Sequence, residues 1–288
     1  MKILITGSDG MLGTDIIPIF RKSFHIVTPS RAELDVTERE KVHRVIGTGD
    51  FDYVVHLAAL TDLDWCEDNP NMAMKVNAEG TKNIAEMCDK TDTRLIYIST
   101  SGVFSGRQDK PYTEDDIPKP ANVYGKSKYM GEQYVQQILS YDKFLILRVG
   151  WLFGGGENDK KFVGKMFKLL KNKNEVFAVN DILGSPNYSV DIGNTIVDMI
   201  NMGIYGIFHI PNSGEPASRY DIAIAMREIM QVDCIVLPVS SDKFPTRAFR
   251  PPMEAICSKK FEDALGYKLG HWKQALEKYL NRLEQNNK

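Results

Sequence analysis

Tyr124 and Lys128 stand four residues apart, the spacing that puts two side chains on one face of a helix. A phenol with an ordinary pKa near 10 is a poor acid–base group at neutrality. A neighbouring ammonium stabilises the phenolate, so this pair could move a proton to or from a carbonyl oxygen. Alone the spacing says little, because a chain with twelve tyrosines yields about one Tyr-x-x-x-Lys by chance. Ser99 and Thr100 add weight: they end an apolar run, and the Thr100 hydroxyl could hold the same oxygen by a hydrogen bond. The bland alternative for Tyr124 and Lys128 is a pair on a solvated helix face.

The second constellation is Thr6-Gly7-Ser8-Asp9-Gly10-Met11-Leu12-Gly13, with glycines at spacing three and three. It follows a β-branched apolar run and opens a helical pattern of Met11, Leu12, Ile16, Ile17 and Phe20. Each glycine has a role in a dinucleotide site: a tight turn, close backbone approach to a pyrophosphate, and close packing of helix on strand. The free N–H groups and dipole at the start of that helix favour the pyrophosphate. An acidic residue at the tip of the second strand would signal NAD, and an arginine there suits the 2′-phosphate of NADP. The strand runs out in Thr28-Pro29-Ser30-Arg31 with no carboxylate at its tip, so NADPH is favoured and NADH stays possible. In this setting Thr100 would hold a substrate oxygen, Tyr124 would donate the proton, and the nicotinamide would supply hydride. Lys128 would also grip the nicotinamide ribose.

These groups need a scaffold. Short apolar runs at Lys2–Thr6, 25–28, 53–57, 94–99 and Phe144–Val149 alternate with helical stretches near 38–46, 72–88 and 123–140. That alternation implies βαβ units and an α/β, doubly wound parallel sheet of Rossmann type. Beyond Trp151 the texture changes to a Gly-Gly-Gly loop and a basic helix at 160–171. Phe162, Met166, Phe167 and Leu170 fall on the core side of that helix and its lysines on a solvated face. Shorter strands at Glu175–Val179, Gly206–His209 and Ile235–Val239 and helices at Arg219–Met230 and 271–283 follow. The division expected is a dinucleotide-binding domain over 1–150 and a smaller substrate-binding lobe over 151–288, partly interleaved with the first.

Composition narrows the function classes. The 288 residues carry 36 Lys plus Arg against 38 Asp plus Glu, a balance that argues against nucleic acid as partner. With 43% hydrophobic and 26% charged residues the chain reads as an ordinary globular one. The longest apolar stretches, 53–60 and 144–153, are too short or interrupted to span a bilayer, and no signal peptide is visible. Cys66, Cys88, Cys234 and Cys257 form no CxxC pair and the histidines no zinc spacing, so reduced cysteines, no metal site and a cytoplasmic location are expected.

On these motifs the chain resembles the extended short-chain dehydrogenases/reductases, and within them the dTDP-4-dehydrorhamnose reductase family. The likeness runs nearly end to end: Lys2 to Gly13, Arg31-Ala32-Glu33-Leu34-Asp35-Val36, Asn77-Ala78-Glu79-Gly80, Ile98-Ser99-Thr100, Asn122 to Lys128, and Gly184-Ser185-Pro186. The resemblance implies reduction of the C4 keto group of a nucleotide-linked 4-keto-6-deoxy sugar, dTDP-4-dehydrorhamnose to dTDP-rhamnose. It implies cofactor contacts along Gly7, Asp9, Gly10, Met11, Leu12 and Gly13, at Arg31, Asp35 and Val36, and at Leu57, Ala58, Ala59, Thr61, Ser99 and Lys128. Thr100, Ser101, Gly102, Val103 and Trp151 would face the sugar, and Asn77 would order the active-site strands. A homodimer is possible, and some members hold magnesium on carboxylates at a dimer contact; Asp15 falls near one such position.

The family's strand-four motif reads Ser-Thr-Asp-Tyr-Val-Phe-Asp-Gly, whereas this chain has Ser99-Thr100-Ser101-Gly102-Val103-Phe104-Ser105-Gly106. Ser101 and Gly102 cannot do the proton work of the Asp-Glu pair found in related sugar dehydratases. Two other readings stay open: an epimerase retaining NAD, and a non-catalytic dinucleotide-binding subunit like the methionine adenosyltransferase β subunit.

Overall fold

The computed structural model describes residues 1–286. The first half alternates strand and helix: β1 (Lys2–Thr6), α1 (Met11–Phe20), β2 (His25–Val27), α2 (Arg39–Ile46) and β3 (Tyr53–His56). Next come α3 (Leu63–Asp68), α4 (Pro70–Met74), α5 (Gly80–Lys90), β4 (Arg94–Thr100), α6 (Val123–Ile138) and β5 (Phe144–Val149). The second half holds β6 (Trp151–Phe153), α7 (Phe162–Asn172), β7 (Glu175–Val179), β8 (Leu183–Gly184), β9 (Pro186–Tyr188) and α8 (Ser189–Met202). It closes with β10 (Gly206–His209), β11 (Ala217–Ser218), α9 (Arg219–Met230), β12 (Ile235–Val239), α10 (Lys259–Leu265) and α11 (Trp272–Asn286).

Six strands form one parallel sheet in the order β10-β5-β4-β3-β1-β2. The strands read as near-continuous apolar runs because helices cover both faces. Alternation along them fills two cores: Ile3, Ile5, Ile96 and Ile98 point to one, while Leu4, Leu95 and Tyr97 point to the other. Strand order reverses at β1, with β2 on one side and β3 on the other. The loops leaving β1 and β3 therefore border the crevice where ligands bind in such sheets.

The chain departs from the sequence expectations in three places. Gly206–His209 does not belong to the second lobe; it pairs with β5 as the sixth strand of the main sheet. The helix preceding it, α8, was not anticipated at all, and it packs Ile192, Ile196 and Met199 into the same core as Ile16 and Phe20 of α1. The stretch expected as one helix over 72–88 runs from Pro70 to Lys90 and contains a π-turn at Lys75–Glu79. Such wide turns reorient side chains inside a helix, and this one carries Asn77.

A third core joins Phe153, Phe167, Ile222, Met226, Leu276 and Tyr279 around α7, α9 and α11. As expected, Met166, Phe167 and Leu170 of α7 face it while the lysines of α7 stay outside. Asp15 ties this part to α1. Its carboxylate accepts hydrogen bonds from the Gly155 N–H (2.6 Å), the Ser189 hydroxyl and Arg282 Nη2 (2.7 Å). Its oxygens are thus engaged within the chain rather than presented at a surface. No helix among the described residues is long and apolar enough to cross a membrane.

Candidate active site

The glycine turn has the geometry its spacing implies. Gly7 has φ +67°, and a Cβ there would lie 2.6 Å from the Ala58 nitrogen, so both conformation and space demand glycine. A Cβ on Gly13 would lie 2.3 Å from the Ser8 carbonyl oxygen, which lets α1 pack against the turn. Gly10 differs: its Cβ would meet only the Gly7 oxygen, at 3.2 Å, and its outer side is open. No side chain caps α1 and no acidic residue stands in its first turn, so its leading N–H groups are available to an anion. These residues fit a dinucleotide pyrophosphate. Leu12 itself is a core residue, its side chain packed among those of the main core.

Across the crevice the loop after β3 is fixed from beneath. The Leu57 and Ala58 N–H groups donate to Thr6, at its carbonyl and its hydroxyl, both at 3.2 Å. The Thr6 hydroxyl also meets His56 Nδ1 at 2.7 Å, and burial pushes that imidazole down to about 3. Asn77, fully buried, accepts from the Leu60 N–H (2.8 Å) and donates to the Leu60 carbonyl and the Ser127 hydroxyl, each at 2.9 Å. One side chain thus joins the loop bearing Leu57, Ala58, Ala59 and Thr61 to the helix bearing Tyr124 and Lys128.

That helix, α6, starts where Asn122 accepts from the Gly125 N–H at 2.9 Å. Thr100 and the Tyr124 ring both border Gly102, and the Thr100 hydroxyl accepts from the Gly102 N–H at 3.1 Å. Burial pushes the Tyr124 phenol up to about 12, against the pull of the nearby Thr100 hydroxyl, and the negative charge of Glu254 adds to the rise. The phenol is therefore protonated at neutral pH, the state a proton donor needs.

Lys128 is only 3% exposed, and its Nζ lies 4.0 Å from the centre of the Tyr97 ring. Burial pulls the ammonium down to about 7, opposed by the Glu132 carboxylate one helical turn on. Among the described residues no fully buried side-chain nitrogen or oxygen lacks a hydrogen-bond partner, and Lys128 Nζ makes none to protein. It therefore opens on the crevice, free to donate to ribose hydroxyls. Below it Glu132 forms a buried ion pair with Arg148 at 2.7 Å and accepts from the Ser99 hydroxyl at 2.5 Å. The proton of the Ser99 hydroxyl is thus committed to Glu132.

Other expected contacts divide similarly. Val103 is in the small core with Phe104, Tyr112 and Met253, so its side chain does not face a sugar. Gly102 does border the reacting groups: a Cβ there would stand 3.4 Å from Thr100 Oγ1 and 3.9 Å from Tyr124 Cδ1, ordinary contact distances. Ser101 beside it is buried. Arg31 is 79% exposed at its side chain, with Nε 3.3 Å from Asp35, whose other oxygen accepts from the Thr37 N–H and hydroxyl. Glu33 folds back onto the Ser30 N–H and hydroxyl, both at 2.8 Å. Glu33 and Asp35 thus make these contacts within the loop that follows β2. Val36 packs against Gly80 of α5.

Trp151 brings two residues that sequence reasoning missed. Its indole N–H donates to Glu254 at 2.6 Å, and the Arg219 guanidinium lies 3.8 Å above its ring. No spacing rule links positions so far apart; the only available signal was that Arg219 begins an expected helix.

With this geometry in view, residues 1–285 match the family described as the RmlD substrate binding domain. The chain is 34% identical to a dTDP-4-dehydrorhamnose reductase of Mycolicibacterium smegmatis over 96% of this chain and 84% of that protein. Its structure superposes with a TM-score of 0.94 on a dTDP-4-dehydrorhamnose reductase of Clostridium acetobutylicum, at 32% identity, covering 99% of this chain and 100% of the other. The same enzyme from Bacillus anthracis, solved in complex with NADP, gives a TM-score of 0.93 at 30% identity, with 98% and 99% covered. The fold, the crevice and these matches together make the chain a member of the RmlD substrate-binding-domain family of Rossmann-type proteins.

Proposed function

We propose that this chain is an NADPH-dependent reductase of the C4 keto group of a nucleotide-linked 4-keto-6-deoxy sugar, most directly dTDP-4-dehydrorhamnose going to dTDP-rhamnose. The observation that carries the reading is the protonated Tyr124 phenol beside Thr100 at the start of the helix that also presents Lys128, whose Nζ makes no hydrogen bond to protein. Full-length similarity to reductases of that name, one of them with NADP bound, supports it.

In this mechanism Thr100 and Tyr124 hold the carbonyl oxygen from one side. A reduced nicotinamide supplies the hydride when bound. Tyr124 would give its proton to the oxygen, so that the reduced carbonyl ends as a hydroxyl. Lys128 holds the ribose and, as a cation, stabilises the phenolate that forms. Arg31 is offered to the 2′-phosphate in exchange for Asp35, and the N-terminus of α1 takes the pyrophosphate. Residues 1–150 supply these cofactor groups, and Trp151 with its neighbours from 151–288 supplies the sugar wall. A homodimer and a cytoplasmic location belong to this reading through the resemblance; light scattering of the purified chain tests the first.

Tyr124→Phe tests the mechanism. General acid–base groups contribute roughly 10²- to 10⁴-fold, so NADPH oxidation with the keto-sugar should fall by that order while NADPH affinity stays unchanged. Near wild-type turnover would remove Tyr124 from the chemistry.

A further inference from the structure

Arg219 and Lys161 are two cations on the second-lobe side of the crevice that touch no carboxylate among the described residues. The Arg219 guanidinium stacks 3.8 Å from the Trp151 ring centre and 5.0 Å from that of Phe162. Stacking engages the face of a guanidinium and leaves the N–H groups at its edge. None of those N–H groups is hydrogen-bonded to the described residues. Arg250 nearby is different, being anchored on Asp64 and the Ala248 carbonyl, each at 3.1 Å.

Lys161, just ahead of α7, donates from Nζ to the Thr61 carbonyl (2.9 Å) and hydroxyl (3.1 Å), both neutral acceptors. Burial pulls its ammonium down, the charges of Asp62 and Asp159 oppose that, and the charge of Arg219 is felt after theirs, so the two cations share one electrostatic neighbourhood. Burial lowers Arg219 to about 10, which leaves it charged at neutral pH. A partly buried guanidinium without an acceptor is costly unless a ligand supplies one. Glu254 offsets part of that charge from a distance, but its carboxylate is hydrogen-bonded at the edge of the same indole and makes no direct ion pair or hydrogen bond to the guanidinium.

We propose that Arg219, with Lys161 beside it, is the receptor for the diphosphate of the nucleotide-linked substrate. The inference rests on the nucleotide-sugar reading above and deepens it. Neither cation has a direct ion pair among the described residues, and the oxygens of a diphosphate match the planar fork of the guanidinium edge. The cofactor's own pyrophosphate has a separate place at the N-terminus of α1, on the β1 side of the crevice. Trp151 then acts as a platform: Glu254 fixes its edge and Arg219 covers its face, which orients the guanidinium fork.

Calorimetric titration of dTDP, UDP, thymidine and NADPH into the wild-type chain, Arg219→Ala and Arg219→Lys tests this. Loss of charge-assisted hydrogen bonds to a phosphate predicts a rise of about 10- to 100-fold in the Kd of the nucleoside diphosphate for Arg219→Ala. Arg219→Lys should recover part of it, and the affinities for thymidine and NADPH should not move. An unchanged diphosphate affinity, or an equal loss for thymidine, would overturn the role of Arg219 and leave the reductase reading intact. A loss confined to NADPH would assign the cation to the cofactor and overturn it too. Failure of the wild-type chain to bind either nucleoside diphosphate would instead overturn the nucleotide-sugar reading on which the inference stands.

Discussion

Asn77→Ala separates the positioning of the crevice from its chemistry. The wild-type side chain makes three buried hydrogen bonds, to the Leu60 N–H, the Leu60 carbonyl and the Ser127 hydroxyl. Alanine removes all three, strands the Leu60 N–H and leaves the Leu60 carbonyl only the Cys66 thiol at 3.7 Å. Ser127 keeps its bond to the Tyr124 carbonyl at 2.8 Å, so the loss falls mainly on the loop. A typical bond is worth about 1 kcal/mol net and an unsatisfied buried group costs about 1–3 kcal/mol, so the expected destabilisation is about 3 kcal/mol. For a chain of this size that lowers Tm by roughly 6 °C. The same loop borders the cofactor crevice, so NADPH affinity should also fall severalfold, and the Tm gain on adding NADPH should shrink with it. Thermal unfolding with and without NADPH, together with direct titration, reads both effects. A variant within about 1 °C of wild type with unchanged NADPH affinity would refute the idea that Asn77 couples loop and helix.

Three further outcomes follow from the same geometry. Lys128→Met should abolish turnover yet stabilise the fold: the folded-state ammonium sits at about 7 instead of 10.5, so its burial penalty is full below pH 7 and disappears as pH rises to 10.5. The gain in urea unfolding should be on the order of a few kcal/mol at pH 6 and vanish near pH 10.5; a less stable variant at pH 6 would contradict this. His56 and His209 are buried and held down to about 3, so they cost nothing above pH 6.5. As pH falls from 6.5 toward 3 the unfolded chain alone takes up protons, and stability should drop by about 1.4 kcal/mol per pH unit for each histidine. A flat stability profile between pH 6 and 4 would be inconsistent with neutral buried imidazoles. Arg31→Ala should weaken NADPH about tenfold and leave NADH nearly unchanged; equal losses for both, by titration, would give Arg31 a structural role only.

The parts of the site legible in the sequence were those set by local backbone chemistry. Gly7 and Gly13 admit no Cβ, and a requirement of that kind writes itself into the residue type at a fixed spacing. Tyr124 and Lys128 share a helical face by arithmetic. Side-chain direction was not legible in the same way. Ser99 and Val103 flank Thr100 in sequence, yet Ser99 is bonded to Glu132 and Val103 lies in a core. The pleat and the short helical turn after β4 decide that, not residue type. Long-range partners were invisible for a plainer reason. Glu254 reaches Trp151 across 103 positions and Arg282 reaches Asp15 across 267, and no periodicity spans such gaps.

In the fold, β10 was recognised as a strand of the interleaved second half, without the sheet it joins. Its short apolar run carries no mark of which neighbour it joins, and the intervening α8 that returns the chain to β5 was not read. Interleaving of the two lobes was expected, but without that helix the place where the chain goes back to the first core was not legible. The π-turn around Asn77 was equally hidden, since a one-residue widening leaves the apolar period of the helix almost intact.

The central claim is that Tyr124, Thr100 and Lys128 reduce a nucleotide-linked 4-keto sugar with hydride from NADPH. The direct measurement is NADPH oxidation by the purified chain, followed optically, against a panel headed by dTDP-4-dehydrorhamnose, with the product identified by mass and by the configuration at C4. The account predicts stoichiometric oxidation of NADPH with formation of the 4-hydroxy sugar, lost in Tyr124→Phe. NADPH binding without oxidation for every nucleotide-linked 4-keto sugar tried, or turnover that survives Tyr124→Phe, would contradict it.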